Sequence, residues 1–157
     1  MVKININISD TQLNSKLLKN FLKSEELKGF YSFKNDIKNY EDLIKKRSSF
    51  SVDKRLLMHN IVFEQYKNIR SLGLVSKSID ALKNPKTFTI TTGHQLCLNT
   101  GPIYFFYKIL HCIKISVELK KMYPKYNFVP VFWMASEDHD FEEIKSFQTK
   151  NKKFEIS

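Results

Sequence analysis

The chain has 157 residues, which suits one domain or part of a larger one. An apolar content of 42% and a charged content of 27% exclude an intrinsically disordered protein, and four glycines and four prolines exclude collagen-like and low-complexity classes. Two cysteines exclude a disulfide scaffold, and 26 basic against 16 acidic residues give a net charge of +10. The lysines are dispersed along helical patterns, so we expect a solvated basic surface, with small anions and then nucleic acid as lesser alternatives.

The sequence predicts a cytoplasmic protein without a membrane partner. The opening residues, MVKININISD, lack the apolar segment of a signal peptide. The longest apolar stretches, such as residues 128–135, are far too short to span a bilayer. A low cysteine count is also typical of a reducing compartment.

The N-terminal part is predicted to be one strand followed by helices. Residues 3–8 alternate polar and apolar side chains, which favours a short strand. Ser9 is a predicted helix N-cap, with Gln12 at the position of a capping box, and residues 28–35 are predicted to be a loop. The apolar residues of this first helix follow at helical spacing: Leu13, Leu17, Leu18, Phe21 and Leu22.

Three further helices are predicted before the pattern changes at residue 86. The first spans Tyr40 to Arg47. A longer one is capped by Asp53 and ends at Gly73, which suits the residue after a helix C-terminus. A short helix, Lys77 to Leu82, stops before Pro85. Residues 1–85 are therefore expected to form an N-terminal strand and helical region.

Residues 86–157 predict a β-strand, a helix and a second strand. Residues 87–92, TFTITT, have strand character, and residues 93–101 are predicted to be a loop. Pro102 suits the first position of a helix that ends near Met122. Residues 128–133, FVPVFW, form the apolar run expected of a strand buried on both faces. This order in about 45 residues predicts a βαβ unit with a parallel sheet.

The sheet predicted in this way is incomplete. The segments 147–149 and 154–156 are consistent with a terminal hairpin. One βαβ unit cannot complete a doubly wound α/β sheet, whose faces and edges need more strands and helices. We therefore expect an N-terminal fragment or a truncated gene product.

The first candidate site follows the first predicted strand, over residues 91–102. Ligands of open α/β sheets bind at the carboxyl ends of strands, and free N–H groups at a helix N-terminus can hold an anion. His94 and Gln95 add a titratable ring and an amide in the same turn. The segment matches neither the dinucleotide nor the Walker pattern. Gly93, Gly101 and Pro102 are equally expected of a simple turn and helix cap.

The second candidate site follows the second predicted strand, over residues 132–143. Glu137, Asp138, His139 and Asp140 place four ionisable groups in a row, which suits a general base, a metal site or contacts to a substrate amine. An exposed acidic turn is the alternative reading. Parallel neighbours bring their carboxyl ends together, so residues 93–102 and 136–140 are expected to lie side by side.

Three nearby residues are ambiguous. Cys97 lies in the predicted site loop, but no zinc-ligand spacing is present and we predict no metal site. Trp133 is more often a core residue than a ligand platform. Lys108 lies on the helix after the loop and is expected to face either solvent or an anion. Cys112, within the helix, is expected to be a packing residue.

The two motifs together resemble a known enzyme family. TTGHQLCLNTGPIYFFYKILHCIKI followed by VPVFWMASEDHDFEEI is similar to the bacillithiol biosynthesis cysteine-adding enzymes, BshC. The GFY at residues 29–31 and the region up to Gln65 are similar more loosely. The resemblance covers essentially all of this chain but only the N-terminal part of the family.

The resemblance implies a Rossmann-like core with helical additions, and in the complete proteins a C-terminal coiled coil that mediates homodimerisation. It implies an enzyme that joins L-cysteine to the glucosamine amine of glucosaminyl-malate. The cofactor stays open, with ATP or another nucleotide as the candidate. By motif, the implied catalytic residues are Glu137, Asp138, His139 and Asp140, and the implied substrate- or anion-binding residues are Gly93, His94, Gln95, Thr100, Gly101, Pro102, Lys108 and Trp133.

Two rival interpretations remain at this stage. Another nucleotide-dependent ligase or nucleotidyltransferase could use the same fold, because a fold does not determine a function. An inactive truncated remnant is the other. The resemblance also argues against a catalytic role for Cys97, because the family usually has another residue at that position.

Overall fold

The computed structural model describes residues 4–7, 11, 15–33, 36–98, 101–138 and 141–156. The chain divides into two compact units, residues 1–43 and residues 44–157. The helical region and the βαβ region that meet at residue 86 therefore both contribute to the second unit. Among the described helices, none combines the length and the apolar character needed to cross a membrane.

The first unit contains the helix α1 (Lys16–Lys23) and two 3-10 turns, Lys28–Phe30 and Ile37–Asn39. The hydroxyl of Ser15 caps α1 by accepting the N–H of Leu18 at 3.2 Å. The predicted strand at 3–8 is wrong over its described part, because residues 4–7 have no regular structure. The reason is that a strand needs a neighbour for its backbone groups, and alternation of side chains does not supply one.

Some N-terminal predictions fall on residues that the structure does not describe. The predicted cap at Ser9, with Gln12 and Leu13, lies outside the described residues. The predicted loop at 28–35 contains the short 3-10 turn Lys28–Phe30. Within the unit, the rings of Phe21 and Tyr31 meet edge to face at 5.3 Å.

The second unit begins within α2 (Tyr40–Arg47), which has the predicted bounds, and continues with α3 (Val52–Tyr66) and α4 (Leu72–Ala81). Asp53 is not the cap of α3. The hydroxyl of Ser51 accepts the N–H of Lys54 at 3.3 Å, and Asp53 lies in the first turn, where its charge suits the helix dipole. Gly73 does not end α3 either, because it is the second residue of α4. The apolar pattern continues across the break between α3 and α4, so the local spacing of apolar residues did not locate that break.

Arg55 joins α3 to the segment that leads into the sheet. Its guanidinium donates to the carbonyls of Asn84 at 3.1 Å, Pro85 at 3.2 Å and Thr87 at 2.9 Å. Arg55 is only 6% exposed. One planar fork of donors thereby binds three carbonyls of the segment that leads from α4 into β1, and the Asn84 carbonyl also accepts the N–H of Thr87 at 3.0 Å.

The sheet of the second unit is the predicted βαβ unit. β1 (Thr87–Gln95) and β2 (Asn127–Ala135) pair in parallel, and α5 (Ile103–Met122) connects them and packs against both. Leu119 is fully buried, and the thiol of Cys112 donates to the carbonyl of Ile90 at 2.8 Å. Burial raises the pKa of the Cys112 thiol, which favours the neutral form that suits packing. This confirms the packing role predicted for Cys112.

The prediction that the second strand is buried on both faces is wrong, because no residue of β2 is fully buried and three consecutive residues near its carboxyl end are exposed. Phe132 is 36% exposed, Trp133 58% and Met134 60%. The described residues supply one strand beside β2 and the helices α4 and α5 against it, which is too little to cover these side chains. The hydrophobic run therefore indicates the strand correctly but not its surroundings.

A hairpin follows the sheet, as the sequence indicated. After the short helix α6 (Phe141–Ile144), β3 (Ser146–Gln148) pairs antiparallel with β4 (Lys153–Glu155). The rings of Phe147 and Phe154 stack across it at 4.9 Å. Hydrogen bonding to Lys153 holds the pKa of the Glu155 carboxyl below its ordinary value.

Candidate functional site

A shallow cleft of about 370 Å³ lies at the carboxyl end of the parallel sheet. Residues from the end of β1, the first turns of α5, the end of β2 and the turn after β2 line it. Its lining residues are Gly93, His94, Gln95, Tyr104, Lys108, Trp133, Ala135 and Asp138. The two motifs separated by about 40 residues thus meet at one site, as expected from the parallel order of the strands.

The first motif enters the cleft as a strand and not as a loop. β1 continues through Gly93, His94 and Gln95, which pair with Trp133, Met134 and Ala135 of β2. The predicted loop at 93–101 is therefore wrong over its first three residues. The physical reason is that β2 offers backbone partners as far as Ala135, and pairing outweighs the local turn preference of glycine.

Gly93 is required by the close approach of Trp133. A Cβ atom at Gly93 would lie 2.8 Å from the carbonyl oxygen and 3.0 Å from the Cβ of Trp133. Such contacts are closer than non-bonded atoms tolerate, and one of them is to backbone that cannot rotate away. Gly93 therefore allows the indole of Trp133 to stand at the edge of the cleft.

We expect Gly93→Ala to disturb the end of the sheet. Overpacking of this kind costs about 1–3 kcal/mol, and the strands must separate locally to admit the methyl group. Hydrogen exchange of the β1 and β2 amides should show this as faster exchange near residues 93–95. Gly73→Ala is the matched control, because nothing lies within 4 Å of a Cβ there and α4 should gain stability. Equal exchange in both variants would contradict the packing argument.

His94 is held by two hydrogen bonds. Its Nδ1 lies 2.9 Å from the carbonyl oxygen of Gln95, and its Nε2 lies 2.8 Å from the hydroxyl of Tyr104. The rings of Tyr104 and Phe105 lie 5.3 Å and 5.5 Å from the imidazole. His94 is therefore fixed between the end of β1 and the start of α5.

Tyr104 and Lys108 reach the cleft from α5. They are four residues apart and thus share one face of the helix. The side chain of Lys108 lines the cleft. Tyr104 was not among the predicted site residues. The signal that could have found it is its spacing from Lys108, on a helix that starts at the site loop.

The second motif begins with a tight turn. The N–H of Ser136 donates to Met134 at 2.8 Å, and that of Asp138 donates to Ala135 at 3.3 Å. This turn brings Asp138 to the cleft, whereas Glu137 is exposed and is not one of the lining residues. His139 and Asp140 lie outside the described residues. The side chain of Trp133 lines the cleft and is exposed, so a core role for it is wrong.

The remaining residues of the first motif shape the approach to α5. Gly101 has φ 66°, and a Cβ there would lie 2.5 Å from the Sγ of Cys97. The Cys97 thiol thus packs against a position that only glycine can occupy. Pro102 is the N-cap of α5, one position before the predicted one. Neither Gly101 nor Pro102 lines the cleft, and Thr100 lies outside the described residues.

Comparison with known proteins identifies the family. The family model for the N-terminal Rossmann-like domain of bacillithiol biosynthesis BshC matches residues 1–157. The chain belongs to the BshC family. The resemblance seen in the two motifs is thereby confirmed, and so is the α/β, Rossmann-like fold. In this domain, the cleft lies where both motifs converge.

Individual relatives agree with the family match. The chain is 49% identical over 142 residues to a Flavobacterium psychrophilum protein and 48% identical over 142 residues to a Flavobacterium johnsoniae protein. It is 42% identical over 150 residues to a protein of Cytophaga hutchinsonii. Each is named "Putative cysteine ligase BshC". The matches cover 88%, 89% and 95% of this chain but 27%, 27% and 28% of those proteins. The chain therefore spans about a quarter of the length of the relatives it matches.

Proposed function

We propose that this domain forms the substrate cleft of a cysteine ligase that makes an amide bond between L-cysteine and the amine of glucosaminyl-malate. The observation that carries the proposal is the match of residues 1–157 to the BshC N-terminal domain. The convergence of both family motifs on one cleft supports it, because residues that act on one substrate must share one site.

The cleft offers groups of the charge that this reaction needs. Glucosaminyl-malate carries an amine and two malate carboxylates. Asp138 presents a carboxylate that attracts the protonated amine, and Lys108 presents a cation that attracts a malate carboxylate. The exposed indole of Trp133 offers an apolar platform beside them, of the kind that sugar rings stack on. The charges thus favour a zwitterionic substrate with its amine toward the turn after β2.

Amide formation also defines what the protein must do with protons. An alkylammonium group carries three protons and the amide nitrogen keeps one, so two protons must leave. Asp138 is the described carboxylate of the motif that lines the cleft, and His139 and Asp140 are the neighbouring candidates from the sequence. A complete protein of this family is further proposed to act as a homodimer through its C-terminal coiled coil.

The test uses a full-length chimera, in which residues 1–157 replace the matching domain of the Flavobacterium psychrophilum relative. L-cysteine and glucosaminyl-malate are supplied with and without ATP, and the product is detected by mass spectrometry. We expect the amide product, with the mass of both substrates less one water. A folded but inactive chimera, beside an active unmodified relative, would overturn the proposal. Turnover of other amines in preference to glucosaminyl-malate would assign a different ligase.

Two substitutions in the second motif are expected to lower ligation without unfolding the protein. Asp138→Asn removes the carboxylate but keeps its shape, and His139→Ala removes the imidazole. General acid–base groups contribute about 10²–10⁴-fold, so we expect a loss of at least about a hundredfold in kcat/KM for a residue in that role. Glu118→Gln, on the outer part of α5 and paired with Lys114 at 3.8 Å, is the control. Unchanged rates in both motif variants would contradict this prediction and would support the alternative that the motif is an exposed acidic turn.

A further inference from the structure

The side-chain amide of Gln95 and the indole of Trp133 both line the cleft. Building on the proposed function, we propose that these two residues form the subsite for the sugar ring of glucosaminyl-malate. The ring stacks on the indole, and the amide forms hydrogen bonds with two neighbouring ring hydroxyls. Gln95 and Trp133 are then the residues that select an amino sugar over a simple amine.

Both side chains lie on the face of the sheet that α5 does not cover. Side chains alternate between the two faces along a strand. The ring of His94 contacts Phe105 of α5 at 5.5 Å, so the next residue, Gln95, points to the opposite face. Phe132 likewise contacts Phe105, at 5.2 Å, so the next residue, Trp133, also points away from α5. The amide and the indole therefore share one side of the cleft.

The indole of Trp133 lies close over Gly93, its partner in the parallel register. Its Cδ1 atom is 3.3 Å from the position that a Cβ of Gly93 would take. Gln95 follows two residues later on the same face, and its partner in the register is Ala135. Glycine and alanine fill little of the space around the indole and the amide. Trp133 is 58% exposed, so its apolar ring is accessible to a ligand.

The chemistry of Gln95 matches the part of the substrate that the proposed function has not used. Among the residues that the structure describes, its side-chain amide has no hydrogen-bond partner. Tyr104 and His94 bind each other, and Lys108 and Asp138 are matched to a malate carboxylate and to the amine. The substrate groups that remain are neutral hydroxyls. An amide has a carbonyl that accepts and an NH₂ group that donates, which suits two adjacent hydroxyls.

The positions of these groups agree with the structure of the substrate. In glucosaminyl-malate, the malate and the amine are on neighbouring ring carbons, and free hydroxyls are on the other side of the ring. Lys108 comes from α5, whereas Gln95 and Trp133 lie on the opposite face. A ring on the indole can therefore direct its charged substituents to Lys108 and Asp138 and its hydroxyls to Gln95. A malate-bearing amine without a ring would make only the charged contacts.

The experiment compares two substrates in the full-length chimera. One is glucosaminyl-malate, and the other is the 2-aminoethyl ether of malate, which keeps the amine and both carboxylates but has no ring. Gln95→Met should raise KM for glucosaminyl-malate about tenfold, with little change in kcat and a much smaller change for the ether. Trp133→Leu should reduce the same preference. Gln148→Met, exposed on β3, is the matched control and should leave the preference unchanged.

Binding is measured separately through the indole N–H resonance of Trp133, which is assigned by its loss in Trp133→Leu. This resonance should shift on addition of glucosaminyl-malate, and Gln95→Met should require more substrate for the same shift. An unmoved resonance would overturn the sugar subsite and would indicate that another part of the full-length protein covers the indole. Equal losses for both substrates in Gln95→Met would overturn it even if the chimera makes the amide. A chimera that shows the shift but makes no amide would support the subsite and refute the ligase.

Discussion

Arg55→Ala is expected to loosen the junction between α3 and β1 by about 3 kcal/mol or more. The substitution removes donors to three carbonyls, and hydrogen bonds from a charged group contribute about 1.5–3 kcal/mol each. It also leaves a space where a side chain that is 6% exposed had been. Because β1 carries His94 into the cleft, the effect should extend to the site.

Hydrogen exchange of the full-length chimera measures this effect locally. A loss of about 3 kcal/mol corresponds to roughly a hundredfold faster opening, and we expect it for the amides of residues 84–92. Arg55→Lys keeps the charge but lacks the planar fork of donors, so its amide exchange rates should lie between those of the wild type and Arg55→Ala. Lys54→Ala is the control, because Lys54 is exposed on the same helix. Equal exchange in the Arg55 and Lys54 variants would show that the three contacts contribute nothing measurable.

The polypeptide of residues 1–157 by itself is expected to self-associate and to be inactive. Phe132, Trp133 and Met134 are exposed at the end of β2, and Phe106 and Leu110 are exposed on α5. Each large apolar side chain left in water forgoes about 1.5–3 kcal/mol of burial. The two described strands of the parallel sheet also leave an edge on each side, which favours pairing between copies.

Sedimentation, thermal unfolding and the ligation assay test this expectation. The 157-residue polypeptide should sediment as a concentration-dependent mixture. Leu110→Lys should reduce the association by placing a charge in the shallow groove that Ile103, Phe106, Tyr107 and Leu110 line on α5. Lys114→Arg, on the same helix, is the control and should change nothing. A monodisperse monomer with a cooperative transition and turnover would contradict the expectation and would show that this domain is a self-sufficient enzyme.

The sequence was informative where structure depends on neighbours along the chain. The order strand, helix, strand from residue 87 to residue 135 follows from β-branched runs and from helical spacing, and the structure has it. The bounds of α2 are likewise those predicted. The convergence of the two motifs followed from one rule about parallel strands, and the cleft contains residues of both.

The sequence misled where a distant partner decides. The end of β1 looked like a loop, because glycine and polar side chains at 93–95 favour one. Alternation at 3–8 looked like a strand, and the described residues 4–7 are irregular. In both places the outcome depends on whether another strand offers backbone partners at that point, which local composition does not encode.

By itself, the sequence determined the α/β class, the family and the two motifs, because these depend on the order and periodicity of side chains. Only the tertiary structure decided that Tyr104 meets His94, that Arg55 is buried on three carbonyls, and that the end of β2 is exposed. Each of these features depends on how different helices and strands pack against one another. They arise from packing, in which the position of one side chain depends on all of its neighbours at once.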